Sequence, residues 1–498
     1  MKSSRKIVIA LAALSTALAL VACSQTNGPK NEADANTVQI YAWDSGLGTA
    51  WLSQIVDDFN ASQTDYKAVL TTNNSLTTIT NTLELGAAGN PYDLYFSYLG
   101  SFSHYDEFAS LDDVLNSKAS DDESVLIKDK LYSGFYDASK DSDGVHKFMY
   151  YGNNATGIAY NRSLISDDQV PNTTDELESL VTDLVAEGVT PWLFFNEPSG
   201  GSNGYWNYVL DAWAMQYSGL DYYYNTLMQL KGDDGTSPSK AAFEKKDGRY
   251  QALEVMEKIL TPTTTHKQCT NTNFTTVQTL FLEGQAAMNI NGAWLLNENN
   301  STADISMMKT PVISSIVETL DDTSMSDATL SAIVDEIDNG ATSSTLCDEH
   351  DFARIKEARG VYTNNCAEQY IFSPNYSNAR EATTAFLRFY STDASIMRYV
   401  DALHLPATMH LTDDSKIPLS SYAAWNQRCF EIANQGNPLL TPVKRSRVFK
   451  NYSINIMNNV LIAQSLIAAN PVDRRNADEI WSTFVDSVEE NWEGWIQE

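Results

Sequence analysis

Positive charge is scarce in this sequence. Its 498 residues include 33 Lys and Arg against 64 Asp and Glu, which gives a formal net charge of −31. Nucleic acids and anionic lipid headgroups are bound through basic surfaces, so this composition argues against both as partners. Because the acidic residues are spread along the whole chain, a contribution to solubility is the simplest explanation of the excess.

Histidine and the common catalytic motifs are also scarce. The chain has only 6 His, which are scattered, and it contains no H-E-x-x-H, P-loop or G-x-G-x-x-G pattern. These patterns supply metal ligands or cradle phosphates, so we expect no metal, nucleotide or flavin cofactor. We also expect no catalytic residues, and therefore a protein that is not an enzyme.

Cysteine is rare and widely spaced. Of the 5 cysteines, Cys23 lies near the N-terminus, which leaves Cys269, Cys347, Cys366 and Cys429. The absence of a C-x-x-C pair argues against a zinc site. Outside the cytoplasm the four either pair, in one of three connectivities, or stay free buried thiols, and the spacing does not decide between these outcomes.

Long apolar runs are missing except at the N-terminus. A basic head at 2–6 and an apolar stretch at 7–22 predict a secretory signal, since a spanning helix needs about 20 apolar residues. The stretch ends in Leu-Val-Ala-Cys, which resembles the bacterial lipobox. This resemblance implies removal of 1–22, acylation of Cys23 and anchoring to the outer face of the cell membrane. Polar residues 23–36 then predict a flexible tether.

The start of the mature chain alternates between strand-like and helix-like segments. β-rich runs at 37–41, 66–70 and 93–96 are separated by apolar residues at helical spacing over 51–59 and 76–85. Strand–helix–strand alternation predicts a parallel sheet in an α/β protein. Ligands of such sheets bind beyond the carboxyl ends of the strands.

Candidate binding groups follow the first and third of these strands. Trp43 and Asp44 come after the first, and Tyr98 comes after the third. An aromatic face packs on the apolar face of a sugar ring, and a carboxylate accepts hydrogen bonds from hydroxyl groups. These residues therefore suit a sugar site, although an ordinary turn also contains such groups.

Later segments predict a crossing between two lobes and a largely helical remainder. Residues 147–160 suggest the crossing, with Tyr151, Asn153 and Asn154 on loops at the cleft. Further predictions are a helix at 175–186, a strand at 190–195, a helix at 205–217 and an acidic helical segment at 321–357 interrupted by Gly340.

Two short motifs near residue 200 allow an enzymatic interpretation. Gly200-Gly201-Ser202-Asn203-Gly204 fits the nucleophile elbow, but loop residues separate it from the preceding predicted strand. The triplet Asn-Glu-Pro at 196–198 resembles the acid/base motif of glycosidases built on TIM barrels. Those enzymes need a second carboxylate and eight strand–helix units, of which we identify three. A surface glycoside hydrolase that uses Glu197 is the alternative function.

The segment Phe281–Trp294 reads FLEGQAAMNINGAW. It is similar to the F-x-x-G-x-A-A-M-x-x-x-G-x-W signature of extracellular solute-binding proteins of ABC importers, in particular the carbohydrate-binding family 1. Residues 157–161 and 381–391 resemble further segments of that family, whereas 89–94 departs from its G-x-x-P-D motif by one inserted position, Tyr92. The resemblance spans roughly residues 37 to 498.

The resemblance implies an α/β fold of the periplasmic-binding-protein-like type II, with two discontinuous lobes, a hinge and a ligand cleft between the lobes. The predicted first lobe comprises 37–150 and 307–400, and the second comprises 151–306 and 401–498. Residues 312–369 depart from the smaller family members and are predicted to be a helical insert near the return to the first lobe.

The resemblance also implies a function. The chain would be a monomer that captures a mono- or oligosaccharide between its lobes and delivers it to the permease subunits of an ABC importer. Trp294 would stack on a sugar ring, as the matching residue does in maltose-type members, and Glu197 would approach the sugar. The candidate ligand-binding residues are Trp43, Asp44, Tyr98, Tyr151, Asn153, Asn154, Glu197, Trp206, Trp294 and Trp425. For Trp213, helical spacing favours core packing. A non-sugar solute is the alternative ligand.

Overall fold

The structure is a computed structural model that describes residues 35–44, 46–99, 104–120, 123–195, 204–270, 272–364, 369–446, 448 and 462–497. The predicted signal peptide, Cys23, Glu197 and Cys366 lie outside these described residues. In the described part, the chain forms two separate β-sheets with helices around them.

The strands are β1 (Thr37–Trp43), β2 (Lys67–Asn73), β3 (Leu94–Tyr98), β4 (Phe148–Tyr150), β5 (Ala155–Asn161), β6 (Met288–Gly292), β7 (Ile305–Met307), β8 (Val361–Asn364), β9 (Gln369–Phe372) and β10 (Asn437–Leu439). The first sheet has the order β2-β1-β3-β9-β4, and the second has the order β10-β8-β5-β6, with β7 also pairing with β5. We refer to each sheet with the helices packed on it as the first and the second lobe.

The helices are α1 (Ala50–Ser62), α2 (Leu76–Glu84), α3 (Gly86–Gly89), α4 (Asp112–Leu115), α5 (Ile127–Lys130), α6 (Ser133–Ala138), α7 (Thr174–Ala186), α8 (Trp206–Ser218), α9 (Leu220–Tyr222), α10 (Lys240–Glu244), α11 (Arg249–Ile259), α12 (Phe274–Leu282), α13 (Leu295–Asn299), α14 (Asp327–Asp338), α15 (Glu349–Gly360), α16 (Arg380–Tyr390), α17 (Asp393–Leu403), α18 (Ala424–Gln435), α19 (Ile462–Leu466) and α20 (Ala477–Gln497). Within the described ranges, none of these helices combines the length and apolar character that crossing a membrane requires.

The alternation predicted for the start of the chain is confirmed. β1 pairs in parallel with both β2 and β3, and α1 and α2 connect them. The predicted apolar face of α1 is buried because helical spacing places Trp51, Leu52, Ile55, Val56 and Phe59 on one side, toward the core. The carboxyl ends of β1 and β3 therefore lie at one edge of the first sheet.

Two strand connections join the lobes, and the predicted crossing over 147–160 is confirmed. β4 belongs to the first sheet and β5 to the second, while β8 belongs to the second and β9 to the first. The two crossing segments are hydrogen-bonded to each other. The Tyr362 hydroxyl donates to Asn153 Oδ1 at 2.7 Å, and the Asn154 N–H donates to Asn364 Oδ1 at 3.1 Å.

The helical insert packs on the second lobe, which corrects the predicted domain boundary. Arg354 of α15 donates to the backbone carbonyls of Gln216 and Tyr217 in α8, and the Leu220 N–H donates to Glu357 Oε1 at 3.3 Å. The chain rejoins the first sheet only at β9, not at residue 307. The boundary depends on the pairing of β8 with β5 and β10, which no local sequence pattern encodes.

The prediction of a strand at 190–195 is wrong, because this segment does not form a regular strand. The segment is extended, but Trp192 alone forms bridges, one to Thr265 and one to Met288. Its backbone groups alternate between two partners, since the Trp192 N–H donates to Thr264 at 3.0 Å and the Leu193 N–H donates to Met288 at 3.0 Å. No continuous ladder with one neighbour can form under this arrangement.

Three of the four cysteines that follow Cys23 in the sequence lie in the described part, and all three are free thiols. Cys269 and Cys429 are buried, and Cys347 is half-buried. Burial raises the pKa of the Cys269 thiol to about 11, which keeps it protonated and unreactive at neutral pH. The alternative of free buried thiols is therefore confirmed for Cys269 and Cys429.

A buried lysine connects three segments of the first lobe. The Lys130 ammonium donates to Glu123 Oε2 at 2.7 Å, to the Ser391 carbonyl at 2.7 Å and to Asp393 Oδ1 at 2.9 Å. Only 1% of the Lys130 side chain is exposed. Neutralising it would leave the two carboxylates without their cation in a largely buried place.

We expect Lys130→Met to lower the free energy of unfolding by about 3 kcal/mol, because removing one partner of a buried ion pair leaves an uncompensated charge. Urea denaturation of the mature protein measures this change. The control is Lys128→Met on the same short helix, where a half-buried lysine contacts Asn116, and there the change should stay below about 1 kcal/mol. Equal losses in the two variants would contradict the assigned role of Lys130.

Candidate functional site

An aromatic cluster lies beyond β6 in the second lobe. β6 ends at Gly292, and Trp294 follows two residues later, directly before α13. The Trp294 ring lies edge-to-face against Tyr205 and Tyr208, with centroid distances of 5.9 and 6.5 Å. The two tyrosine rings stack on each other at 5.2 Å. Trp294 is 6% exposed and the tyrosines are half-buried, so most of the exposed aromatic surface belongs to the tyrosines.

Two glycines make this cluster possible. A Cβ at Gly292 would lie 1.8–2.5 Å from three atoms of the Trp294 ring, so only glycine lets the indole fold back over the strand. A Cβ at Gly204 would lie 2.6 Å from the Phe195 carbonyl oxygen. The next residue, Tyr205, also has a left-handed backbone with φ of 67°, a strained conformation of the kind that occurs at functional sites.

The first lobe contributes the residues at the carboxyl ends of β1 and β3. The rings of Trp43 and Tyr98 lie 6.0 Å apart, and the Trp43 indole N–H donates to the Asn74 carbonyl at 3.3 Å. Asp44 is exposed and accepts a hydrogen bond from the Thr49 hydroxyl at 3.4 Å. The structure therefore brings these three predicted residues to one edge, as the parallel sheet required.

The two lobes meet at Gly46. A Cβ at this position would lie 3.6 Å from Trp294 Cδ1 and 3.3 Å from Glu298 Oε1. The other oxygen of Glu298 accepts a hydrogen bond from Gln278 at 2.8 Å. Exposed carboxylates thus lie on both sides of the junction, Asp44 on the first lobe and Glu298 on the second. The interlobe cleft is defined here by Trp43, Asp44, Tyr98, Tyr205, Tyr208, Trp294 and Glu298.

Three predicted residues belong to the crossing segment beside this cleft. Tyr151 is 5% exposed, and its ring lies 5.9 Å from Phe96, in the core of the first lobe. Burial raises the pKa of the Tyr362 hydroxyl, so this hydroxyl stays protonated and donates to Asn153. The Asn153 side-chain amide nitrogen, which is buried, has no hydrogen-bond partner among the described residues. Asn153 therefore retains a donor that a solute or a water molecule can use.

Trp206 and Trp425 do not lie in the cleft, which corrects their prediction as ligand contacts. Trp206 is 1% exposed and packs edge-to-face on Trp192 at 4.9 Å. Trp425 is fully buried, and its indole N–H donates to the Ala293 carbonyl at 3.1 Å. Trp425 thus positions the backbone next to Trp294. Trp213 is fully buried as well, which confirms its predicted core role.

Sequence reasoning missed Tyr205, Tyr208 and Glu298. The sequence predicts a helix over 205–217 and gives no sign that either tyrosine faces the cleft. Tyr205 precedes the first residue of α8 with a left-handed backbone, and Tyr208 lies on the first turn, so the stacking of their rings depends on this local geometry. Glu298 lies four residues after Trp294, on the first turn of α13. The tertiary contact with Gly46 alone identifies Glu298 as a cleft residue.

One group in the described residues combines histidine with carboxylates in a way that a metal could use. Possible ligand atoms of Asp321, His350 and Asp351 all lie within 4.8 Å of one another. However, the buried Asp351 carboxylate accepts the backbone N–H groups of Asp321 and Asp322 at 2.7 and 3.1 Å. These hydrogen bonds explain the group as a structural connection between a loop and α15.

Two α/β lobes joined by crossing strands, with aromatic residues where the lobes meet, define a protein that binds a solute between its lobes. The sequence matches the profile of the bacterial extracellular solute-binding proteins over residues 54–416, so the chain belongs to this family. A sequence search among proteins of curated function finds no significant match.

Solved structures with the same fold include several solute receptors. The bacterial solute receptor AcbH, described as having an exclusive preference for β-D-galactopyranose, superposes with a TM-score of 0.61 at 13% identity, covering 91% of this chain and 99% of AcbH. A protein from work on xylan utilization by Caldanaerobius polysaccharolyticus gives 0.57 at 15% identity, with 91% and 100% covered. A probable secreted solute-binding lipoprotein from Streptomyces coelicolor gives 0.58 at 13%, with 91% and 98% covered. At these identities the similarity establishes the two-lobe fold.

We expect Gly292→Ala to displace the Trp294 ring, because the new methyl group would occupy the position of the indole. Near-UV circular dichroism should change, and overpacking should lower the free energy of unfolding by about 1 to 3 kcal/mol. Gly494→Ala on α20 is the matched control, since nothing lies within 4 Å of its Cβ position. Spectra of Gly292→Ala that superpose on those of the unaltered protein would show that the ring does not pack on Gly292.

Proposed function

We propose that the chain is an exported, lipid-anchored receptor that captures a carbohydrate in the interlobe cleft for an ABC importer. The observation that carries this proposal is the combination of half-buried aromatic rings and exposed carboxylates on both sides of the junction. A pyranose ring has an apolar face that packs on an aromatic ring, while its hydroxyl groups donate to carboxylates. The preference for β-D-galactopyranose described for AcbH agrees with this ligand class.

Each lobe would supply one half of the site. Tyr205, Tyr208 and Trp294 offer ring surface from the second lobe, and Trp43 and Tyr98 offer it from the first. A solute held by both lobes binds the closed conformation better than the open one, so binding drives closure about the crossing segments. The closed form would be the one that the permease subunits recognise.

Calorimetry and thermal shift with a panel of mono- and oligosaccharides should identify a ligand. At a hundredfold excess over Kd, a bound sugar should stabilise the protein by about 2.7 kcal/mol. Tyr208→Ala and Trp294→Ala should each make the binding free energy of that sugar less favourable by at least about 1 kcal/mol, because each removes ring surface from the cleft. Trp495→Ala, which removes a partly exposed tryptophan of α20, should leave the affinity unchanged.

Three outcomes would count against this proposal. Stabilisation by a non-sugar solute alone would move the ligand to another class. Unchanged sugar affinity in both cleft variants would remove the aromatic cluster from the site. Release of product from aryl glycosides, abolished by Glu197→Gln, would favour the glycoside hydrolase alternative over a protein that only binds.

The lipid anchor is tested at Cys23. We expect the protein to incorporate palmitate and to fractionate with membranes, whereas Cys23→Ser should not be acylated and should be released as soluble protein. Cys347→Ser, which alters a half-buried free thiol of the insert, is the control and should stay membrane-bound. Palmitate incorporation that persists in Cys23→Ser would place the anchor elsewhere.

A further inference from the structure

A cavity of about 340 Å³ lies on the side of the second lobe where the insert packs. The insert helices α14 and α15 form one wall, and β8, α18 and residues 308–310 form the others. We call it the insert cavity. Its volume falls within the range of small-molecule sites, and it shares none of its lining residues with the interlobe cleft.

The insert cavity combines apolar walls with buried charges. Ile337, Ile432 and the Tyr362 ring line it, as do Lys309 and Arg359, which are 8% and 7% exposed. Apolar walls of this kind can pack against the apolar part of a small molecule. The charged groups then select molecules that carry a complementary polar group.

The two buried cations are already engaged. Lys309 contacts Asp338 at 3.1 Å and Glu431 at 2.7 Å, and Arg359 contacts Asp338 at 2.7 Å. Burial raises the pKa of Asp338, but its hydrogen bond and ion pair with Arg359, together with Lys309, outweigh burial and keep this carboxyl below its usual range. Asp338 is therefore a carboxylate that balances part of the positive charge.

Lys356 is the cation that remains available. It lines the same cavity, it is exposed, and it makes no salt bridge or hydrogen bond to the other described residues. Together with Lys309 and Arg359 it makes three cations against the carboxylates of Asp338 and Glu431. The cavity thus has a net positive charge in a chain whose net charge is −31.

The cavity also borders the crossing strands. Tyr362 contributes its ring to the cavity wall and its hydroxyl to Asn153 of the other crossing segment. A Cβ at Gly436 would lie 2.8 Å from the Tyr362 ring, so this ring has little freedom to move. Thr156, another lining residue, donates to the Thr363 carbonyl at 2.9 Å. A molecule in the cavity therefore touches the residues that hold the two crossing segments together.

We propose that the insert cavity binds a small organic carboxylate with an apolar body, with the carboxylate at Lys356 and the body against Ile337, Ile432 and Tyr362. Because Thr156 and Tyr362 of the two crossing segments line the cavity, such a ligand stabilises the pairing of those segments seen here, in which Gly46 of the first lobe meets Trp294 of the second. Its binding should therefore raise the affinity of the cleft for its solute. This second statement rests on the proposed function, whereas carboxylate binding itself does not.

The first experiment measures benzoate and its neutral isostere benzamide against the mature protein by calorimetry, without sugar. Benzoate should bind in the millimolar range or tighter and benzamide about tenfold more weakly, since only benzoate can pair with a cation. Lys356→Gln should weaken benzoate about fivefold, and Lys258→Gln, at an exposed lysine outside the cavity, should not. No benzoate binding at millimolar concentration, equal binding of the two compounds, or an unchanged Lys356→Gln variant would overturn the proposed site.

The second experiment measures the affinity of the identified cleft solute with and without saturating benzoate. We expect benzoate to increase the affinity for the cleft solute about fivefold. In Lys356→Gln this increase should be smaller, because the variant binds benzoate more weakly. If benzoate leaves the affinity for the cleft solute unchanged, the proposed coupling is overturned, but the insert cavity still stands as a carboxylate site. If no sugar binds, the proposed function fails, and the benzoate measurements still decide whether the insert cavity is a carboxylate site.

Discussion

The pairing of the two crossing segments is the constraint on which the rest of this protein depends. β4–β5 and β8–β9 each belong to both sheets, so the geometry of both lobes follows from how these segments hold each other. The Tyr362–Asn153 hydrogen bond and the Thr156–Thr363 contact are buried, where a lost partner is costly. A hinge built in this way can bend without separating its strands, which is what closure around a solute requires.

The aromatic cluster depends on residues that lie outside it. Gly292 leaves the space that the Trp294 ring occupies, and Trp425 hydrogen-bonds the carbonyl of the residue before Trp294. Tyr205 has a left-handed backbone, and its ring stacks on that of Tyr208. Rigid support of this kind limits the entropy lost when a solute binds.

The insert adds a feature to the two-lobe family fold. Its helices α14 and α15 attach to α8 through Arg354 and enclose a cavity whose opposite wall is a crossing strand. Lys309 and Arg359 share the carboxylate of Asp338, so the buried charges of this wall compensate each other in part. The insert therefore brings charged residues close to the crossing strand β8.

Much of the fold and part of the site could be predicted from sequence. Local patterns determined α1, the parallel strands β1 to β3 and the stretch from α12 to Trp294, because helical spacing, strand alternation and glycine turns act over a few neighbouring residues. Tertiary structure decided which lobe carries the insert, the two isolated bridges at Trp192 and the burial of Trp206 and Trp425. Those outcomes depend on which distant segments pair, as β8 does with β5 and β10, and a tryptophan at helical spacing reads the same whether its ring meets a core or a solute. The sequence by itself determined the kinds of groups available to the cleft, and only the packing of the two lobes decided which of them meet there.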